Sequence, residues 1–111
     1  MVQKQFNNYY VTYYSHYNAN VVATIYCSMD GKSVGAVSFA HNNLAIPAPI
    51  VGTGPLAGNL YIWYSQNEFD TIMNLLRYDK KPLTLFINTD PNLNYGGITT
   101  STDLVGEALP K

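Results

Sequence analysis

The stretch from Asn8 to Ala40 reads NYYVTYYSHYNANVVATIYCSMDGKSVGAVSFA, three β-rich runs separated by two turn signals. Asn8 to Tyr17 is dense in aromatic and β-branched residues, which suit a pleated, half-buried surface. Asn18-Ala19-Asn20 predicts a turn, because Asn tolerates left-handed backbone angles. Val21 to Ser28 is then a second strand. Asp30-Gly31 is the strongest hairpin signal in the chain, and a third strand runs from Ser33 to Ala40.

The turns set a register. A two-residue turn at Asp30-Gly31 places Ile25 opposite Ala36, Cys27 opposite Val34, and Tyr26 opposite Gly35, where an aromatic ring covers a strand glycine. A three-residue loop at 18–20 puts Tyr9, Val11, Tyr13 and Ser15 on the face of Ile25 and Cys27, the expected core face. The other face carries Tyr10, Thr12, Tyr14 and His16 beside Thr24 and Tyr26. A slip of one residue would exchange the two sets.

Outward from this stretch, residues 42–58 (NNLAIPAPIVGTGPLAG) hold three prolines and three glycines and cannot form a regular central strand. The loop is nevertheless apolar, so its run from Ala45 to Val51 is expected to be covered, by its own core or by a neighbouring subunit. Asn59 to Tyr64 reads as a fourth strand leading into Ser65-Gln66-Asn67-Glu68, a capping box. Phe69, Ile72, Met73 and Leu76 follow as one apolar helical stripe, ending near Arg77 and Lys80. Pro82 stops the helix, and Leu83 to Asn88 is a fifth strand with Leu83, Leu85 and Ile87 on one face. A loop from Asp90 to Gly97, a short edge strand from Ile98 to Thr102 and a frayed tail from Asp103 complete the reading. The expected fold is α+β: a curled antiparallel sheet of five or six strands packed with one helix, in a single domain over 1–111.

At 111 residues the chain has room for one core, which excludes a two-domain enzyme. Only 12% of residues are charged and the net charge is -1, so there is no basic footprint for nucleic acid. A hydrophobic share of 47% with ten Tyr argues against intrinsic disorder. Met1 to Tyr10 has no apolar signal core, and no run approaches the roughly 18 apolar residues needed to cross a bilayer. The expected location is therefore cytoplasmic, without membrane partners. Cys27 is alone and makes no internal disulfide. Weak self-repulsion on a charge-poor surface favours a homo-oligomer.

Chemical motifs give little. Gly52, Gly54 and Gly58 lack the strand before and helix after that a phosphate loop needs. Asp90-Pro91-Asn92-Leu93-Asn94 starts like a calcium loop, but Tyr95 stands where glycine is required and Ser101 where a bidentate glutamate belongs. A turn built from Asx residues explains the same letters. Cys27, mid-strand on the expected core face, reads as a small buried hydrophobe rather than a nucleophile. His16 and His41 have no metal-ligand spacing with each other or with Cys27. Glu68 is explained by the cap, Asp30 and Asp90 by turns. No catalytic residue, cofactor or metal is expected.

The aromatic density exceeds a bland reading. Tyr10, Tyr14, His16, Tyr26, Tyr61 and Trp63 are the candidate binding or interface residues, since tyrosine joins a large apolar area to a hydroxyl. A second buried layer, made by the helix or the Pro/Gly loop over the Tyr10/Tyr14 face, would account for the same residues. The expectation is a non-enzymatic binding or self-assembly module presenting a Tyr-rich sheet face. The alternative is binding of a carbohydrate or other small polyhydroxylated ligand by Tyr/Trp stacking, with a protein ligand as a further partner class.

From Ser65 through Lys81 to Glu107, the segments Leu75-Leu76-Arg77, Lys81-Pro82-Leu83, Phe86, Ser101 and Val105-Gly106-Glu107, together with the tyrosine strand, resemble small bacterial single-domain proteins of uncharacterised function. The resemblance implies a β-rich domain and carries over no activity and no site residue.

Overall fold

The computed structural model describes residues 1–15, 20–42, 44–89 and 95–100. Eight strands and one α-helix follow in order: β1 (Val2–Phe6), β2 (Asn8–Tyr13), β3 (Val21–Met29), β4 (Lys32–Ala40), β5 (Ile50–Val51), β6 (Leu60–Ser65), α1 (Phe69–Tyr78), β7 (Leu83–Asn88) and β8 (Tyr95–Thr99). They form two sheets rather than one: β1-β7-β8, and β2-β3-β4-β6-β5. The α+β reading with one helix holds, but the single antiparallel sheet of five or six strands does not. All pairs are antiparallel except β4 with β6, which run parallel from Gly35/Leu60 to Ala40/Ser65. The connection between them is the Pro/Gly segment, which crosses to the far edge, pairs briefly as β5 and returns. A parallel crossover is usually a helix, so this one carries no periodic signature.

The hairpin at Asp30-Gly31 forms with positive φ at both residues, 51° and 84°, the geometry of a type I′ turn. Asn7 clamps it: its amide nitrogen donates to Asp30 Oδ1 at 2.9 Å and its Oδ1 accepts from the Asp30 N–H at 3.1 Å. Met29/Lys32 and Ser28/Ser33 pair as the two-residue turn requires, and a bulge beyond Ser28 then shifts the register. Ile25 therefore faces Val37, Tyr26 faces Ala36 and Cys27 faces Gly35, one step from the expected pairs. That step sends Val37 inward and Ala36 outward. In the first hairpin Tyr9 pairs with Cys27, Tyr10 with Tyr26 and Val11 with Ile25, displaced by two residues from the expectation. An even displacement leaves the two faces as read. The strand ends at Tyr13, not Tyr17, while β1, unanticipated, precedes it.

One core joins both sheets and the helix. Ala23, Ile25, Cys27, Val37, Phe39, Leu60 and Ile62 meet Ile72, Met73 and Leu76 of α1 and Phe6, Leu83, Leu85 and Ile87 of the smaller sheet. The helix lies on the Ile25 face, where Phe69 sets its ring edge-on to Phe39 at 5.0 Å. Ser65 caps a short 3-10 turn over 66–68, its Oγ accepting from the Asn67 N–H at 3.3 Å, and α1 proper starts after it. Glu68 is the N-cap of α1 and makes no side-chain capping bond there. Lys81 Nζ donates to the Leu76 carbonyl at the other end.

Candidate functional site

Pairing across the larger sheet lines up its outer face in rows, since paired residues share a face. One row is Tyr10, Tyr26, Ala36, Tyr61 and Ile50; the next is Thr12, Thr24, Ser38 and Trp63. No side chain in either row is charged. Five of the six candidate residues, Tyr10, Tyr14, Tyr26, Tyr61 and Trp63, lie in the described strands or next to them; His16 lies outside the described residues, as does Tyr17.

The aromatics fall into two banks. Tyr10 and Tyr26 stack at 4.8 Å between centroids, 22° from parallel. Tyr10 is 64% exposed and Tyr26 36%. Tyr14, whose N–H donates to the Val22 carbonyl, shares a hydroxyl hydrogen bond with Tyr26. That bond, with some burial and the neighbouring Tyr14 and Tyr10, raises the Tyr26 phenol above its ordinary pKa. Tyr61 and Trp63 form the second bank on β6, about 10 Å away across two strand spacings. Between the banks Ala36 and Thr24 are buried, and Thr24 Oγ1 lies 3.5 Å from Ser38 Oγ. The face is thus a floor of small residues between aromatic walls.

Neither cover expected for this face is complete. The helix occupies the opposite face. The Pro/Gly loop reaches only one end, where Leu44, Ala45 and Pro47 bound a depression of about 240 Å³ with Asn20, Ala40 and Trp63. Of the two covers expected for the loop, its own core or a neighbouring subunit, the described residues supply the first only in part: Val51 packs against the core, whereas Ile46 is 51% exposed and Ile50 56%. Its two prolines at 47 and 49 keep it out of the sheet until Ile50, so it has no second layer of its own to lie under.

Cys27 is buried at 1% exposure, and desolvation pushes its thiol up to about 12. It behaves as a core residue. Asp90 to Asn94 and the tail from Asp103 lie outside the described residues. Among the described residues no group of three metal-ligating side chains gathers, and no helix is long and apolar enough to cross a membrane.

A second concavity was not anticipated. Tyr13, Asn42, Gln66, Asn67, Phe69 and Asp70 line an open cleft of about 320 Å³ where β4 and β6 end side by side. The sequence reading assigned Tyr13 to the core face, and the face is right; yet at the end of an edge strand its ring is 59% exposed. The amides at Asn42 and Gln66-Asn67 were a visible signal, but only the parallel pairing of β4 and β6 unites them. No family model, curated protein or solved structure matches the chain.

Proposed function

We propose that this protein is a non-enzymatic self-assembly module that pairs with a second copy of itself through the outer face of the five-stranded sheet. The observation that carries the reading is the uncharged row from Tyr10 to Ile50, stacked and more than half exposed at both ends. Such a face loses little by desolvation, since it takes no ion out of water, and its tyrosine hydroxyls can find partners across an interface. It offers no charge with which to select a charged partner, whereas a two-fold axis matches an apolar, hydroxyl-bearing surface to itself. Leu44 and Ile50, both exposed, add apolar side chains at the β5 end of the face.

Light scattering tests it. The wild type is expected to show a mass above that of one 12.3 kDa chain. Tyr10→Glu, at an exposed position, should return the mass to a single chain with an unchanged circular dichroism spectrum. A wild type that stays single at high concentration contradicts the proposal.

A further inference from the structure

We propose that the cleft beyond the ends of β4 and β6 binds a neutral saccharide, stacked on Tyr13 and hydrogen-bonded by Asn42, Gln66, Asn67 and Asp70. The site is independent of the self-assembly face: Tyr13 belongs to the opposite side of β2 from Tyr10.

Topology makes the crevice. β4 and β6 are neighbours and parallel, so their carboxyl ends open at the same edge of the sheet. The chain leaves one toward the Pro/Gly loop and the other toward the helix, and diverging exits from adjacent parallel strands are where α/β sheets also leave room for ligands. The resulting volume, about 320 Å³, sits at the small end of the range for small-molecule sites.

The lining is held in place before any ligand arrives. Asn42 donates from Nδ2 to Asn67 Oδ1 at 3.1 Å, and its own Oδ1 accepts from Ser65 Oγ at 3.2 Å. Ser65 Oγ in turn accepts from the Asn67 N–H at 3.3 Å. These three bonds fix two amide side chains on separate loops. Tyr13 is fixed as well, its ring set at 79° to Phe69 with 5.4 Å between centroids. Ordering costs that a ligand would otherwise meet are thereby reduced.

The chemistry selects the ligand class. A pyranose has an apolar C–H face that packs on an aromatic ring and rimming hydroxyls that both donate and accept. Amides at Asn42, Gln66 and Asn67 offer both functions, and the Asp70 carboxylate accepts from two adjacent hydroxyls. Among the described residues no Lys or Arg lines the cleft, and Asp70 repels anions, so a phosphate or other acidic ligand is disfavoured. One carboxylate is too few for a calcium ion.

The test is a titration of the isotope-labelled protein with the methyl pyranosides of glucose, galactose, mannose and N-acetylglucosamine, followed by amide and side-chain chemical shifts. At least one is expected to give saturable shifts at Tyr13, Asn42, Gln66, Asn67 and Asp70, with Kd on the order of 1 mM. Tyr13→Ala should weaken that binding about tenfold or more, equivalent to ~1.4 kcal/mol. Asp70→Asn, on the exposed side of the first helical turn, should weaken it while the fold is kept, with only the small loss of stability that removing a first-turn carboxylate brings, and it decides the matter if Tyr13→Ala fails to fold. Tyr10→Glu should bind the sugar as the wild type does, so loss of assembly and loss of binding are separable. Absence of saturable shifts with all four sugars, shifts centred on Tyr61 and Trp63, or full affinity in a folded Tyr13→Ala or in Asp70→Asn would each overturn the proposal.

Discussion

Gly35 stands directly against the main chain of Leu60: a Cβ on Gly35 would lie 2.1 Å from the Leu60 carbonyl oxygen. This is the first pair of the parallel β4–β6 ladder, so the absent side chain is what lets the crossover return close enough to pair. Gly35→Ala is expected to displace β6 and lower stability by roughly 2 kcal/mol or more, as backbone clashes in a core ladder do. Urea unfolding measures it; an unchanged midpoint would mean that the two strands are not so closely apposed.

Cys27 gives the stability a pH dependence of known sign. Its folded thiol titrates at about 12 against an ordinary 9.0, because burial disfavours the thiolate. The unfolded chain therefore ionises first. The stabilisation is complete below pH 9 and is lost as pH climbs toward 12, in total on the order of 4 kcal/mol. Denaturant midpoints in the first unit above pH 9, below most tyrosine ionisation, should fall with pH in the wild type and hold steadier in Cys27→Ala. Equal slopes in the two proteins would contradict this account of the thiol.

Ser65 holds both the start of the helical segment and the Asn42–Asn67 pair. Ser65→Ala is expected to destabilise by about 1 kcal/mol, the usual cost of losing an N-cap. It should also loosen the cleft, seen as altered side-chain amide shifts at Asn42 and Asn67. Retention of both stability and shifts would show that Ser65 anchors neither.

Protection of the Pro/Gly loop should depend on concentration. Leu44, Ile46 and Ile50 are exposed in a single chain, so a nonspecific protease should cut between residues 44 and 50 in dilute protein. Assembly through the neighbouring face should slow that cut at high concentration. A cutting rate independent of concentration, with protease in matched ratio, would place this loop outside any interface.

What could be read from the sequence followed local chemistry. The Asp30-Gly31 turn, the faces of β2 and β3, the helix stripe and the inward Leu83-Leu85-Ile87 row all depend on near neighbours and came out as expected. Tyr10 and Tyr26 were placed on one face because a two-residue displacement preserves parity. The bulge beyond Ser28 escapes the reading although Gly35, a lone glycine inside a strand, is a signal for a bulge or a close backbone approach; the turn-derived register uses it only as the partner that Tyr26 covers. β1 was hidden by Lys4, which pairs with Leu85 on the inward row yet remains exposed at the sheet edge, breaking the apolar alternation. The cleft was hidden for a different reason: Asn42 and Gln66 are 24 positions apart, and only the parallel crossover, whose one helical element is a single 3-10 turn at Gly54–Leu56, brings them together.

The most direct test of the assembly is an isotope-filtered nuclear Overhauser experiment on an equal mixture of labelled and unlabelled chains, which detects only protons that touch across two copies. The account predicts inter-chain signals from the rings of Tyr10, Tyr26 and Tyr61 and from the side chain of Ile50, all in one row of the outer face. Inter-chain signals arising instead from β8 or Tyr13, or none at concentrations where the mass exceeds one chain, would contradict it.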